Sequence, residues 1–233
     1  MIELQGLSKT YRSLFGTRVV PALDDLTLTL ARGEVVGVAG PNGAGKSTLI
    51  SLLLGYLRPT QGQVQVDRMP PRRWVERHGV GYQAELVAIP GRWSVEGALQ
   101  RYTVLSGVPR AQLNQRVDAL LSDFGLAEQR RKRVRELSKG NLQRLGLAQA
   151  LAGDSDLVVL DEPTHGLDPL WTQRFRDVVQ VLAVVHVDVQ RELRIEGKGP
   201  EELPEQVAAL VLENAADHLG PVIQARIGCD REE

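Results

Sequence analysis

Cysteine is almost missing from this chain: one residue, Cys229, stands near the end of 233. It has no partner for an internal disulfide and no companions for a thiolate zinc cluster, which suits a reducing cytosol. Aromatic residues make up only 4% of the composition, too few for a stacking platform that binds single-stranded nucleic acid. A charge bias is also lacking, with 28 basic residues against 29 acidic ones and a net charge of −1. Generic nucleic-acid binding by a basic surface is therefore not signalled. The one dense charge run, "RRKRVR" (130–135), reads as a solvated face leading into a helix, since a nucleic-acid or localisation patch would need more basic neighbours. No stretch reaches the roughly 18–20 apolar residues of a membrane-spanning helix. "MIELQGLSKTYRSLF" has no apolar region of a secretory signal. The expectation is a soluble protein, or one held at a membrane only through a partner. There are no internal repeats and no low-complexity linker.

What is present is enough hydrophobic residue, 42%, to build one large domain or one domain with a modest appendage. "DLTLTL" (25–30) alternates Leu26, Leu28 and Leu30 with threonines and aspartate, the pattern of a half-buried strand. "EVVGVAG" (34–40) is continuously apolar, as in a strand buried on both faces. "LISLLLGYL" follows as a helix apolar nearly all round, and "GQVQVD" (62–67) as another short strand. From about 86 to 150 the texture is helical. Val95, Ala98, Leu99 and Tyr102 share one face behind a Ser94 cap; Leu113, Val117, Leu120, Leu121 and Phe124 repeat the pattern, closed by Gly125. A third helix starts in "LSKGNLQRLGLAQALA" (137–152), and "DLVVLDEP" is a second buried strand ending in two carboxylates. The tail, 191–233, reads as a small β–α–β extension: "RELRIEG", a helix from about Pro204 carrying Val207, Leu210 and Val211, then "PVIQARI".

Two motifs carry chemistry. "GPNGAGKS" (Gly40 to Ser47) fits strand–GxxxxGK[ST]–helix. Gly40, Pro41, Asn42, Gly43, Ala44 and Gly45 form a bare backbone loop whose N–H groups can turn toward an anion. The following helix adds its positive end. Lys46 supplies a fixed charge for β and γ phosphates, Ser47 offers a hydroxyl oxygen to Mg²⁺, and Thr48 completes the loop. A glycine turn without a ligand is the plain alternative, and the flanking strand and helix argue against it. The expected ligand is a nucleoside triphosphate with magnesium. In "LVVLDE" (157–162), Asp161 can hold the metal and Glu162 can orient an attacking water. Paired acids that merely cap a helix are the other reading of that stretch.

The phosphate loop, the "LSKGN" helix start, "LVVLDEPT" and "HGLDP", in that order, resemble the ATP-binding subunits of bacterial ABC transporters, in style closest to export-type systems. The resemblance covers roughly residues 1–170. It implies an α/β fold of the P-loop NTPase, ABC type: a mixed central sheet, an N-terminal antiparallel β subdomain and a helical subdomain (about 86–150) bearing the signature. It further implies that Tyr11 stacks on adenine, although an ordinary strand tyrosine is the alternative. Ser138, Gly140 and Asn141 match the signature that binds the γ-phosphate of ATP held by a second subunit; a serine-capped helix start with a bare glycine is also an anion site on its own chemistry. Asp168 matches the loop that crosses the dimer interface. The implied cofactors are ATP and Mg²⁺. The implied partners are a transmembrane permease subunit and a second ATP-binding subunit, in a homodimer or heterodimer, with no nucleic acid. The implied place is cytoplasmic, on the inner face of the membrane.

Two departures from that pattern stand out. Where the family has a glutamine near magnesium, alignment places Glu85, with Gln83 two residues early; a glutamate can still ligate the metal. The family also follows "LDP" with a helix, a turn and a strand ending in a histidine that contacts the γ-phosphate. Only 16 residues separate Pro169 from His186, where such a unit needs roughly 20. "VLAVVH" resembles the strand and its histidine. The alternative is one continuous helix in "WTQRFRDVVQVLAVV", with Phe175, Val178, Val179 and Leu182 on one face and the strand deleted. The short spacing favours the deletion, so the ATP-binding domain is expected over 1–190 with its switch region truncated. The expected function is an ATPase subunit powering export through a separate membrane partner. The alternatives are a nucleotide-binding remnant with weak hydrolysis and a soluble ABC-type ATPase outside transport.

Overall fold

Alternating leucines and valines at the N-terminus build a three-stranded antiparallel layer in the order β2-β1-β4. Strand β1 (Ile2–Arg12) pairs on one edge with β2 (Val19–Leu30) and on the other with β4 (Gln61–Val66). Ile2, Leu4, Leu26, Leu28, Leu30, Val64 and Val66 all point to one buried face, the consequence of a side-chain period of two. The computed structural model describes residues 1–13, 19–31, 35–39, 42–180, 184–188 and 209–213.

The second sheet has five strands in the order β5-β6-β8-β3-β7, made of β3 (Val35–Ala39), β5 (Gly81–Gln83), β6 (Leu157–Asp161), β7 (Val184–Asp188) and β8 (Ala209–Glu213). The pairs β5–β6 and β3–β7 are parallel, whereas β8 runs antiparallel to both β6 and β3. The sheet is therefore mixed, as expected. Strand β6 is a shared wall. Leu157 and Val159 pack into the core beneath the N-terminal layer, while Val158 and Leu160 pack into the core of the helical region.

Helix α1 (Lys46–Leu53) fills the space between the two sheets and buries Leu49, Ile50, Leu52 and Leu53, which explains its apolar pattern. Helix α2 (Pro71–His78) has no counterpart in the sequence reading. Proline at its first position is preorganised for helix, and Trp74 anchors it, buried and donating through Nε1 to Asp67 at 3.1 Å. In the helical region, α3 (Val95–Leu105) is capped by Ser94, whose Oγ accepts from the Gly97 N–H at 3.1 Å. Helix α4 (Leu113–Asp123) is followed by Gly125 at φ 59°, the expected left-handed closure. Arg130, the first residue of the basic run, joins Glu96 of α3 at 2.6 Å and Asp118 of α4 at 2.7 Å. Helix α5 (Lys139–Ala150) then packs beneath β5 and β6.

Two expectations fail. Residues 171–185 are not one continuous helix: α6 (Pro169–Gln180) ends, and β7 carries His186 in its middle rather than at its end. The counting argument broke because the helix begins at Pro169 itself, behind Asp168, and because the valines of β7 favour a strand. The strand is present, so the deletion is set aside. The helix placed from about Pro204 also does not hold over 209–213. That segment is β8, inserted between β6 and β3, where two strand edges would otherwise face each other unpaired. The separate tail unit loses its middle element to the core sheet. "RELRIEG" and "PVIQARI" lie outside the described residues.

Candidate nucleotide site

The carboxyl ends of β3 and β6 open onto a cleft of about 330 Å³ lined by Tyr11, Ala22, the turn Asn42–Thr48, Glu85, Asp161 and Glu162. Residues as far apart in sequence as Tyr11 and Glu162 thus meet at one place. Gly40 and Pro41 lie outside the described residues.

The turn after β3 is shaped by glycine. Gly43 and Gly45 have φ of 86° and 97°, a region closed to most side chains. At Gly45 a Cβ would stand 2.1 Å from the Ala22 carbonyl oxygen, so the loop leans on β2 where only glycine fits. Gly45 is also the N-terminal cap of α1 and makes no side-chain cap bond. The first N–H groups of α1 have no intrahelical acceptor and carry the positive end of the helix dipole, which favours an anion there. Lys46, the first residue of α1, lines the same cleft. At the same cleft, the Tyr11 hydroxyl lies 3.3 Å from Thr48 Oγ1 and Lys9 Nζ lies 5.6 Å from the ring centre. The ring is 41% exposed and offers a face to a planar group.

Asp161 ends β6 and is buried. Burial first, then the charges of Glu85 and Glu162, push its carboxyl up to about 6, against the pull of Lys46. Glu162 is also raised, by burial and by Glu85, while Lys46 and His165 oppose the shift. Its φ is 49°, a backbone state that costs a non-glycine residue roughly 1–3 kcal/mol and persists where neighbours enforce it. Among the described residues no three carboxylate, histidine or cysteine side chains converge to cage a metal by themselves. The oxygens of Ser47, Asp161 and Glu85 on one cleft nevertheless suit a hard cation such as Mg²⁺, with phosphate oxygens completing its shell.

The remaining sequence-expected residues stand elsewhere. Ser138 caps α5, its Oγ accepting from the Asn141 N–H at 3.2 Å. Gly140 packs so closely that a Cβ would lie 3.1 Å from the Gly166 carbonyl oxygen. Ser138, Gly140 and Asn141 are not lining residues of the Lys46 cleft; they form the start of a separate helix. Asp168 is exposed and caps α6, its Oδ1 accepting from the Trp171 N–H at 2.8 Å. His186 is paired with Gly37 in β3. Gln83 is buried, and both its polar side-chain atoms lack a hydrogen-bond partner, so Glu85 and not Gln83 reaches the cleft.

Two participants escaped sequence reading. Ala22 lines the cleft through a tertiary approach that leaves no local signal. Gln143 is buried on α5 and donates from Nε2 to the carbonyl oxygens of Glu162 and Pro163, both at 3.1 Å. A lone amide on the apolar face of a helix was the available clue.

Comparison with known proteins agrees with this fold. A profile of the ABC transporter family matches residues 23–165. The ABC transporter ATP-binding protein NatA of Bacillus subtilis (strain 168) is 35% identical over 186 residues, covering 78% of this chain and 74% of that protein. The methionine import ATP-binding protein MetN 2 of Rhodococcus jostii (strain RHA1) is 36% identical over 192 residues, covering 80% of this chain and 55% of that protein. The chain thus spans about half the length of the latter. Among solved structures, the ATP-binding cassette MJ0796, dimeric in a post-hydrolysis state with ADP and Pi, superposes with a TM-score of 0.70 at 21% identity, over 85% of this chain and 100% of that one. At that identity the likeness concerns the fold.

Proposed function

The chain belongs to the ABC transporter family as an ATPase domain of P-loop type, and from that premise we propose that it binds and hydrolyses ATP to drive transport through a separate transmembrane partner. The observation that carries the proposal is the single cleft that gathers Tyr11, the N-terminus of α1, Lys46, Ser47, Asp161 and Glu162. In this reading Tyr11 stacks on adenine, the N–H groups of the Asn42–Thr48 turn cradle the phosphates, and Lys46 fixes their charge. Ser47, Asp161 and Glu85 hold Mg²⁺, which when bound neutralises phosphate charge. Glu162 orients the attacking water and draws on its proton. Ser138, Gly140 and Asn141 of a second copy close over the nucleotide, with Asp168 at the junction, and His186 attends the γ-phosphate.

The reading stops at transport. The export direction expected from the signature is not carried over, because the relatives include a methionine import protein. The remnant reading rested on a deleted switch strand, and the strand at Val184–Asp188 weighs against it. Pairing of two copies and a place on the inner membrane face through the partner are part of the proposal. No helix among the described residues is long and apolar enough to cross a membrane.

The test is Lys46→Ala. Removing the fixed cation at the phosphates should weaken equilibrium binding of ATP by orders of magnitude, measured by calorimetry in Mg²⁺. Native affinity in that variant would overturn the assignment.

A further inference from the structure

We infer that Gln143 is a positioning residue for Glu162: its buried amide holds the two peptide carbonyls that set where the Glu162 carboxylate points. The inference rests on the reading of Glu162 as the residue that orients water.

The geometry begins where strand pairing stops. Asp161 is the last residue of β6 paired to β8, opposite Ala209. The carbonyls of Glu162 and Pro163 lie beyond that ladder, in an interior where a polar group needs a donor. Gln143 supplies it, with Nε2 3.1 Å from each oxygen. A carbonyl only accepts, so the NH₂ end of the amide is the end that faces them. The Glu162 oxygen also accepts from the His165 N–H at 3.0 Å. One donor thus comes from its own turn and one from α5.

Packing alone does not call for an amide here. Gln143 is buried on a helix whose neighbouring core positions are Leu145, Gly146, Leu147 and Ala148, and methionine would fill the same volume. What methionine cannot do is hold two carbonyls. The peptide in question belongs to a residue at φ 49°, a conformation that survives only where the surroundings over-determine it. Two further contacts fasten the same turn to the start of α5. Lys139 Nζ stands 2.7 Å from His165 Nε2, and Gly140 lies under the Gly166 carbonyl. The helix that begins with Ser138 therefore grips the turn that carries Glu162, and Gln143 is the grip closest to the carboxylate.

The test uses the full chain with two substitutions. Gln143→Met keeps length and volume but has no donor. Gln143→Glu, when ionised, presents an acceptor to two carbonyls; when protonated, it regains one donor. Three quantities are read: steady-state ATP hydrolysis in Mg²⁺, equilibrium binding of a fluorescent ATP analogue, and hydrogen exchange of the His165 amide. For Gln143→Met, kcat should fall about tenfold or more, with KM and analogue affinity within about twofold of native. The His165 amide should exchange several-fold faster, because its acceptor has lost its second tether. Gln143→Glu should match Met at pH 8 and gain on it as the pH falls. Native kcat in the Met variant would overturn the inference. So would equal losses in kcat and nucleotide affinity with a lowered melting temperature, the mark of a purely structural residue. If the native chain fails to bind the analogue, the function proposed for the cleft falls. The exchange comparison still decides the role of Gln143, and an unchanged His165 amide would refute it.

Discussion

Asp161 sits buried between two other carboxylates, and its raised pKa gives the site a pH signature. The folded state holds the proton more tightly than the unfolded chain does. The stability this provides is full below about pH 4 and is lost as the pH rises through about 6. Without nucleotide or divalent cation, Asp161→Asn should therefore be more resistant to urea than the native chain at pH 7.5, and the gap should close toward pH 4. A gap that is constant with pH would argue against this origin. Adding ATP and Mg²⁺ should reverse the order, because the native carboxylate then has a cation to meet. At this scale the sequence was most legible where chemistry is written contiguously. Lys46, Ser47, Asp161 and Glu162 were named from two short motifs, and the cleft contains all four. Glu85 came from alignment with the family pattern and lines the cleft as well. The role of Gln143 was not legible because its partners lie 19 and 20 residues away, joined to it only by the packing of α5 against the end of β6.

Two serine caps of the same geometry do different jobs at the element scale. Ser94 begins α3 and Ser138 begins α5, each accepting from an N–H three residues on. Replacing either with alanine should remove about 1 kcal/mol of stability. Only Ser138→Ala should also depress ATP turnover, since Ser94 has no place in the proposed site. Denaturant melts and hydrolysis assays on both variants would check this, and a similar loss of turnover in Ser94→Ala would contradict it. Elements with a clear pattern were readable: the periodic helices α3 and α4, the alternating strands β2 and β4 and the continuously apolar strands β3 and β6 appear where those patterns put them. Failure came where periodicity was ambiguous. Val178, Val179 and Leu182 fit a helical face, yet the following valines form a strand. Leu210 and Val211 likewise suit either period, and pairing with distant strands decided between them.

At the scale of the molecule, the central sheet is completed by residues far along the chain. Strand β8 separates β6 from β3 and satisfies an edge of each. A chain ended at residue 190 should leave those inner edges without partners and lose its sharp thermal transition, with aggregation through exposed edges. If calorimetry of the shortened chain gave the native transition, β8 would be dispensable and the domain boundary near 190 would stand. The mixed sheet and the N-terminal antiparallel layer were foreseen. The part played by 209–213 was not, because nothing local marks a strand as the filler of a distant gap. The alternation of β6 between two cores has its own consequence. Leu157 and Val159 belong to one core, Val158 and Leu160 to the other, and Asp161 and Glu162 follow directly. The strand therefore keeps time for the chemistry: parity, odd or even, assigns each side chain to its compartment. Changing a valine to an isoleucine would alter volume but leave the count intact. Deleting any one of residues 157–160 would shift the beat by one, sending apolar side chains to the wrong compartments and turning Asp161 away from the cleft.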